Sequence, residues 1–102
     1  MTEEQKKKIM QQAIDTYGAD AQMLMAIEEM SELTKAICKY SRASTANDEC
    51  TAFNNLTEEI ADVRIMLEQI EIIFGCSGAV KEWETMKLER LKSRMESPND
   101  RK

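Results

Sequence analysis

Four acidic residues occur as two pairs with the same three-residue spacing. They are Glu29, Glu32, Glu59 and Asp62. Residues three apart share one face of an α-helix, with Cβ atoms about 5–6 Å apart, so each pair can direct two carboxylates at one point. At about 100° per residue, Glu59 falls inside the apolar arc of its helix and Asp62 at the edge of that arc. The pattern therefore predicts acids that face a helix–helix contact rather than solvent.

The pair that comes first in the sequence has a similar position relative to an apolar stripe, although the pattern is weaker. Glu29 and Glu32 project between an apolar stripe and a polar stripe that contains Glu28, Lys35 and Lys39. An unpaired buried carboxylate costs several kcal/mol, so the acids must either hold protons or meet cations. Carboxylate oxygens alone suit Mg²⁺, or Mn²⁺, because hard cations prefer oxygen ligands. The alternative is that lysine and arginine side chains neutralise the acids within an interface.

Composition excludes several other chemistries. The chain has no histidine, which removes Ser-His-Asp and Cys-His catalysis, imidazole zinc sites and the Glu-x-x-His di-iron motif. A net charge of −5 gives no sign of a broad nucleic-acid footprint. No apolar run approaches the ~18 residues of a membrane span, and no signal peptide is apparent, so we expect a cytoplasmic protein. The three cysteines, Cys38, Cys50 and Cys76, are expected to be free, buried thiols in a reducing compartment.

Periodicity predicts four helices, over about 3–17, 20–40, 55–74 and 79–95. Few glycines and prolines and eight methionines favour helix over strand. Residues 41–54 lack a clean period and are predicted to form a loop with one short helical turn around 48–53. The expected helix caps are Asp20 for the second helix and Asn54 or Asn55 for the third. The first helix is expected to bury a stripe made of Ile9, Ala13, Ile14 and Tyr17.

These elements predict an all-α fold, a compact four-helix-type bundle. Its length suits a single domain at 1–96, followed by a frayed polar tail at 97–102. A chain of 102 residues buries a limited core, so association with further copies is expected to add to its stability.

The two acidic segments resemble a known family signature. Residues 28–33 read EEMSEL and residues 58–63 read EEIADV. Together they are similar to the EExxE…ExxD signature of the MazG-like pyrophosphohydrolases, within the all-α nucleoside triphosphate pyrophosphatase superfamily. The resemblance extends over about 17–94.

The resemblance implies Mg²⁺-dependent hydrolysis of a (d)NTP between its α and β phosphates, giving a nucleoside monophosphate and pyrophosphate in nucleotide-pool house-cleaning. It implies that the two acid pairs hold the metal and that Glu28 orients a water or acts as a base. Substrate-binding candidates are Lys87, Arg90, Lys35 and Tyr17. Lys39 and Arg42 are further candidates for the phosphates. A homodimer or a dimer of dimers is implied. The alternatives are a phosphoribosyl-ATP pyrophosphohydrolase and a non-catalytic helical interaction module.

Overall fold

The computed structural model describes residues 1–97, which form four α-helices and no strand. The helices are α1 (Glu3–Tyr17), α2 (Ala19–Arg42), α3 (Ala46–Phe74) and α4 (Ser77–Glu96). The predicted all-helical class is confirmed. No helix in this part of the chain is both long and apolar enough to cross a membrane. The tail expected at 97–102 lies outside the described residues, apart from Ser97, which ends α4.

Two glycines make the sharp junctions between helices. Gly18 has φ 95° and joins α1 directly to α2, and Gly75 has φ 60° and ends α3 in the left-handed conformation. A side chain at either position would meet nothing within 4 Å, so the backbone angle and not crowding requires glycine. The predicted cap at Asp20 is wrong, because Gly18 is the residue that precedes α2 and Asp20 lies in its first turn.

The third helix begins much earlier than expected. It starts at Ala46, so the loop predicted over 41–54 is wrong and the connection shrinks to residues 43–45. The Thr45 hydroxyl accepts a hydrogen bond from the Asp48 backbone N–H at 3.0 Å, which satisfies an otherwise free donor at the helix start. Asp48 and Glu49 add favourable negative charge in the first turn. Asn54 and Asn55 are consequently helical, not caps.

The helices α2 and α3 run antiparallel and form the main contact of the molecule. Gln22 meets Gln69 near one end of the pair, and Tyr40 lies 6.3 Å from Phe53, centroid to centroid, near the other. Few apolar residues are buried in the described part of the chain: Met10, Ala26, Ala36, Val63 and Met66. On α1, Met10 is the buried position, whereas the expected Ile9 and Tyr17 are exposed because α1 turns a different face inward.

A buried amide pair joins α2 to α3. The Gln22 Nε2 donates a hydrogen bond of 2.7 Å to the Gln69 Oε1, and both residues are buried. A buried polar group is tolerated where it is hydrogen-bonded. Because each glutamine finds its partner at only one position along the facing helix, the hydrogen bond favours a single register of the two helices. The pair thus helps to fix how far α2 is shifted along α3.

The last helix stands apart from this pair. Within residues 1–97, α4 packs against α3 alone and has no buried residue. Its large apolar side chains are exposed: Val80, Trp83, Met86, Leu88, Leu91 and Met95. Its position therefore depends little on burial within its own chain.

The cysteines are free as predicted, but two of the three are exposed and the third is only half-buried. Cys38 and Cys50 are exposed and Cys76 is half-buried. Cys38 and Cys50 fall on the sides of α2 and α3 that face away from the contact between these helices, which is why the expected burial fails.

We expect Gln69→Leu to destabilise the protein by about 1–3 kcal/mol, because it leaves the Gln22 amide buried without a partner. Changing both residues to leucine should recover most of that loss, since no polar group is then stranded. Urea unfolding at one fixed protein concentration measures both effects. A double variant as unstable as Gln69→Leu would contradict this account of the pair.

Candidate metal centre

Three of the predicted acids converge at the middle of the α2–α3 contact. Glu29 on α2 and Glu59 and Asp62 on α3 each offer a carboxylate oxygen, and these oxygens lie within 4.8 Å of one another. All three side chains are half-buried. The helical phase that predicted their inward placement is confirmed, because antiparallel packing brings the two pairs to the same height.

The carboxylate of Glu59 is the least satisfied group of the cluster. Its Oε2 is buried and has no hydrogen-bond partner in the described chain. Burial raises the pKa of Glu59 above its ordinary value, and the negative charges of Asp62, Glu32 and Glu58 raise it further. Ionised Glu59 therefore lacks a positive or hydrogen-bonding partner of its own.

Glu29 meets the same conflict from the opposite helix. Burial is the largest cause that raises the pKa of Glu29, followed by a hydrogen bond and charge repulsion with Asp62, and then by Glu59 and Glu32. The raised pKa of Glu29 favours its protonated form, which relieves its repulsion with the neighbouring carboxylates. In the absence of a cation, the cluster thus lowers its charge by holding a proton.

The residues present fit a hard divalent cation. Oxygen donors from three carboxylates, one of them with an unpartnered buried oxygen, match the ligands that Mg²⁺ and Mn²⁺ prefer. An open cleft of about 230 Å³ adjoins Glu29 and Asp62, and its other walls are apolar: Met25, Ile65 and Met66. The half-burial of the carboxylates beside these apolar side chains lowers the local dielectric constant, which strengthens their interaction with any bound cation.

The remaining acids lie at the edge of the cluster. Glu32 is exposed and forms an ion pair of 3.4 Å with Lys35, although its charge reaches Glu29 and Glu59. Glu28 is exposed one residue before Glu29. The structure therefore brings three of the four predicted metal ligands together and leaves Glu32 beside a lysine.

The predicted substrate-binding residues do not all reach this centre. Lys35 adjoins the centre through its ion pair with Glu32. Tyr17 is exposed at the end of α1, and about 15 Å of α2 separates the start of that helix from Glu29. Lys87 and Arg90 are on the exposed α4, where the Lys87 Nζ lies 6.0 Å from the Trp83 ring centroid. In the described chain, α4 packs against α3 and does not contact α2, the helix that carries Glu29.

A second groove between α2 and α3 was missed because its α3 wall was predicted to be a loop. It is lined by Lys39, Arg42, Ala43, Asp48, Thr51, Ala52 and Asn55 and encloses about 570 Å³. Lys39 and Arg42 were candidates from the sequence, but their neighbours on α3 were not. The signal that could have found them is the spacing Thr45-x-x-Asp48, which is typical of a helix start.

Comparison with known proteins identifies no relative: no protein-family model, no curated protein sequence and no solved structure matches this chain significantly.

We expect Glu59→Gln to stabilise the metal-free protein at neutral pH. Because the folded-state pKa is raised, stability falls as the pH rises from the ordinary glutamate value of about 4.3 through the raised value. Glutamine mimics the protonated form and escapes this loss. Urea unfolding in EDTA across this interval should show a stability difference between variant and wild type that grows with pH and then levels off.

Glu68→Gln is the matched control, because Glu68 is an exposed glutamate on the same helix outside the cluster. If the advantage of Glu59→Gln shrank as the pH rose, ionised Glu59 would be a stabilising group and the electrostatic conflict described above would be wrong.

Proposed function

We propose that this protein is a Mg²⁺-dependent nucleotide pyrophosphohydrolase of the MazG-like type. Its substrate would be a (d)NTP, cleaved between the α and β phosphates to a nucleoside monophosphate and pyrophosphate, in nucleotide-pool house-cleaning. The supporting observation is the half-buried meeting of Glu29, Glu59 and Asp62, with one carboxylate oxygen buried and unpartnered. The cytoplasm, where free thiols persist, is the proposed setting.

The proposed roles of the acidic residues follow from how deeply each one is buried. Glu29, Glu59 and Asp62 would hold the cation, with Glu32 completing the set once it exchanges Lys35 for the metal. When bound, Mg²⁺ lowers the pKa of water and offsets the charge of the phosphates. Glu28, exposed beside this set, would accept the proton of the attacking water.

The basic residues proposed to bind the phosphates differ in whether their own chain brings them near the acids. Lys35 lies at the edge of the centre in its own chain. Lys87 and Arg90 lie on α4, which does not contact α2 within the described chain, so we propose that they serve through α4 of another copy. No histidine or covalent nucleophile is needed, which suits the composition.

We also propose that the protein assembles with a second copy through one uncovered side of the α2–α3 pair. Four large apolar residues on α3 repeat at seven-residue intervals and are exposed: Phe53, Ile60, Leu67 and Phe74. Ile27, Met30 and Ile37 form a corresponding exposed stripe on α2. We call these seven residues the apolar face.

The apolar face is continuous because of the antiparallel packing. On each helix, the exposed stripe is rotated by roughly 100° about the helix axis from the residues that face the other helix. Viewed from the N-terminus of each helix, this rotation has the same sense on α2 and on α3. Rotations of the same sense about two antiparallel helices lead to the same side of the pair. Glu29, Glu32 and Asp62 are displaced in the opposite sense, so the acids remain open when the apolar face is covered.

A second copy is the occupant that best fits this face. An apolar spacing of seven residues is the repeat with which helices pack side by side, so two α2–α3 pairs can form a four-helix contact about a two-fold axis. Seven half-exposed large side chains offer on the order of 700 Å², near the ~800 Å² that each partner gives to a standard interface. Only five apolar residues are buried within residues 1–97, so the gain from covering the apolar face would be important for stability.

The activity is tested by pyrophosphate release from a panel of standard and damaged (d)NTPs, with Mg²⁺ and with EDTA. We expect release with Mg²⁺ alone, and a loss of about 100-fold or more in Glu59→Gln, because a ligand to the cation is removed. Glu68→Gln should retain turnover. Mg²⁺ at 100 times its Kd should also stabilise the wild type by about 2.7 kcal/mol, and Glu59→Gln far less.

The other candidate functions are outcomes of the same experiment. Pyrophosphate from phosphoribosyl-ATP alone would assign the alternative substrate at the same centre. Stability unaffected by Mg²⁺ or Mn²⁺, with no release from any nucleotide, would leave the non-catalytic interaction module. Full turnover by Glu59→Gln would show that the acid cluster is not the catalytic centre.

We expect Leu67→Lys to break the assembly into smaller species, because it places a charge at the centre of the apolar face. Leu24→Lys is the control, since Leu24 is even more exposed but lies on the outer side of α2. Sedimentation equilibrium measures both. A wild type that is monomeric at micromolar concentrations, or a Leu67→Lys variant of unchanged mass, would refute the interface.

A further inference from the structure

We infer that the groove lined by Lys39, Arg42, Thr51 and Asn55 binds the terminal phosphates of the nucleotide, as a subsite separate from the acid cluster. This inference rests on the proposed function, and it specifies which end of the nucleotide binds in the groove. It assigns a role to residues that lie outside the proposed metal ligands.

The groove presents positive charge that the chain leaves unused. In the part of the chain that the structure describes, the ion pairs are Lys6 with Glu3 and Lys35 with Glu32, so neither Lys39 nor Arg42 is paired with a carboxylate. Both nevertheless line the same cavity as Asp48. Two free cations facing one cavity of about 570 Å³ suit a multiply charged oxyanion.

The opposite wall supplies neutral hydrogen-bond donors. The Thr51 hydroxyl can donate one hydrogen bond and the Asn55 amide two, to phosphate oxygens that lie beyond the reach of the cations. The guanidinium of Arg42 adds a planar fork, which matches two oxygens of one phosphate, whereas Lys39 acts as a point charge. The donor set is therefore that of a phosphate site more than that of a carboxylate pair.

The groove continues the acid cluster along the same side of the helix pair. Lys39 follows Glu32 by seven residues on α2, and Asn55 precedes Asp62 by seven on α3. Seven residues are nearly two turns, so each residue lies on the same side of its helix as the acid, about 10 Å further along the axis. One extended ligand can lie in the seam and touch both places.

Charge decides which end of a nucleotide the groove takes. The acid cluster repels phosphates unless a cation intervenes, whereas the groove attracts them without one. The terminal phosphates carry the most negative charge of a (d)NTP, so they are the part that Lys39 and Arg42 draw in. Asp48 opposes this attraction and limits it, which lets a charged product leave.

The test is calorimetric titration with inorganic pyrophosphate in EDTA, which removes any contribution from a bound metal. We expect wild-type protein to bind pyrophosphate, and the double variant Lys39→Gln/Arg42→Gln to bind about tenfold more weakly, with the loss largest at low salt. Asp48→Asn should bind severalfold more tightly. Lys81→Gln is the control, because Lys81 is an exposed lysine on α4 outside the groove.

Hydrolysis by the same proteins separates this inference from the proposed function. If the double variant raises KM for a (d)NTP with little change in kcat, the groove is a binding subsite for that substrate. Pyrophosphate binding without any hydrolysis would overturn the proposed reaction and leave the groove as an oxyanion site. Pyrophosphate that does not bind wild type, or binds the double variant equally well, would overturn the subsite.

Discussion

The antiparallel register of α2 on α3 is the constraint on which the rest of the molecule depends. A buried hydrogen bond between Gln22 and Gln69 marks that register, and the same alignment brings Glu29 opposite Asp62. A shift of one residue would rotate each contact by about 100° and separate the acids. The groove at Lys39 and the apolar face are placed by the same alignment. One helix pair thus sets the positions of three surfaces with different chemistry.

The cost of this arrangement is visible in the core. Positions at the centre of the α2–α3 contact that could hold leucine hold Glu29, Glu59 and Asp62 instead, and burial raises the pKa of Glu29 and Glu59. Carboxylates in a seam add repulsion and remove apolar area, so the pair is less stable than an all-apolar one. A cation and a second copy would act on different parts of this deficit: the cation would offset the repulsion, and the copy would cover the exposed apolar stripes.

The sequence was informative wherever the decisive interactions are local. Helical phase predicted that Glu59 points inward, because a strong apolar period surrounds it, and glycine marked both sharp junctions. The start of α3 was mispredicted because most residues in 41–54 have short or polar side chains and show no apolar periodicity. Thr45 and Asp48 nevertheless form the spacing that is typical of a helix N-cap. The exposure of Ile60 and Leu67 could not be read from the sequence, because periodicity identifies an apolar arc and not the partner that covers it. The remoteness of α4 likewise depends on the angle at Gly75, which no periodicity encodes.

The two sides of the α2–α3 pair are suited to opposite tasks, and this division explains why so many large apolar residues remain exposed. If the proposed function is right, a charged nucleotide must enter the centre from solvent, so the side with Glu29 and Lys39 would have to stay largely uncovered. Burial must then come from the other side, where Ile60 and Leu67 lie. A chain of 102 residues that reserves one side of its longest helices for charged groups has little apolar area left for a core of its own. The proposed assembly through the apolar face and the open acid cluster would therefore be two consequences of the same allocation of surface.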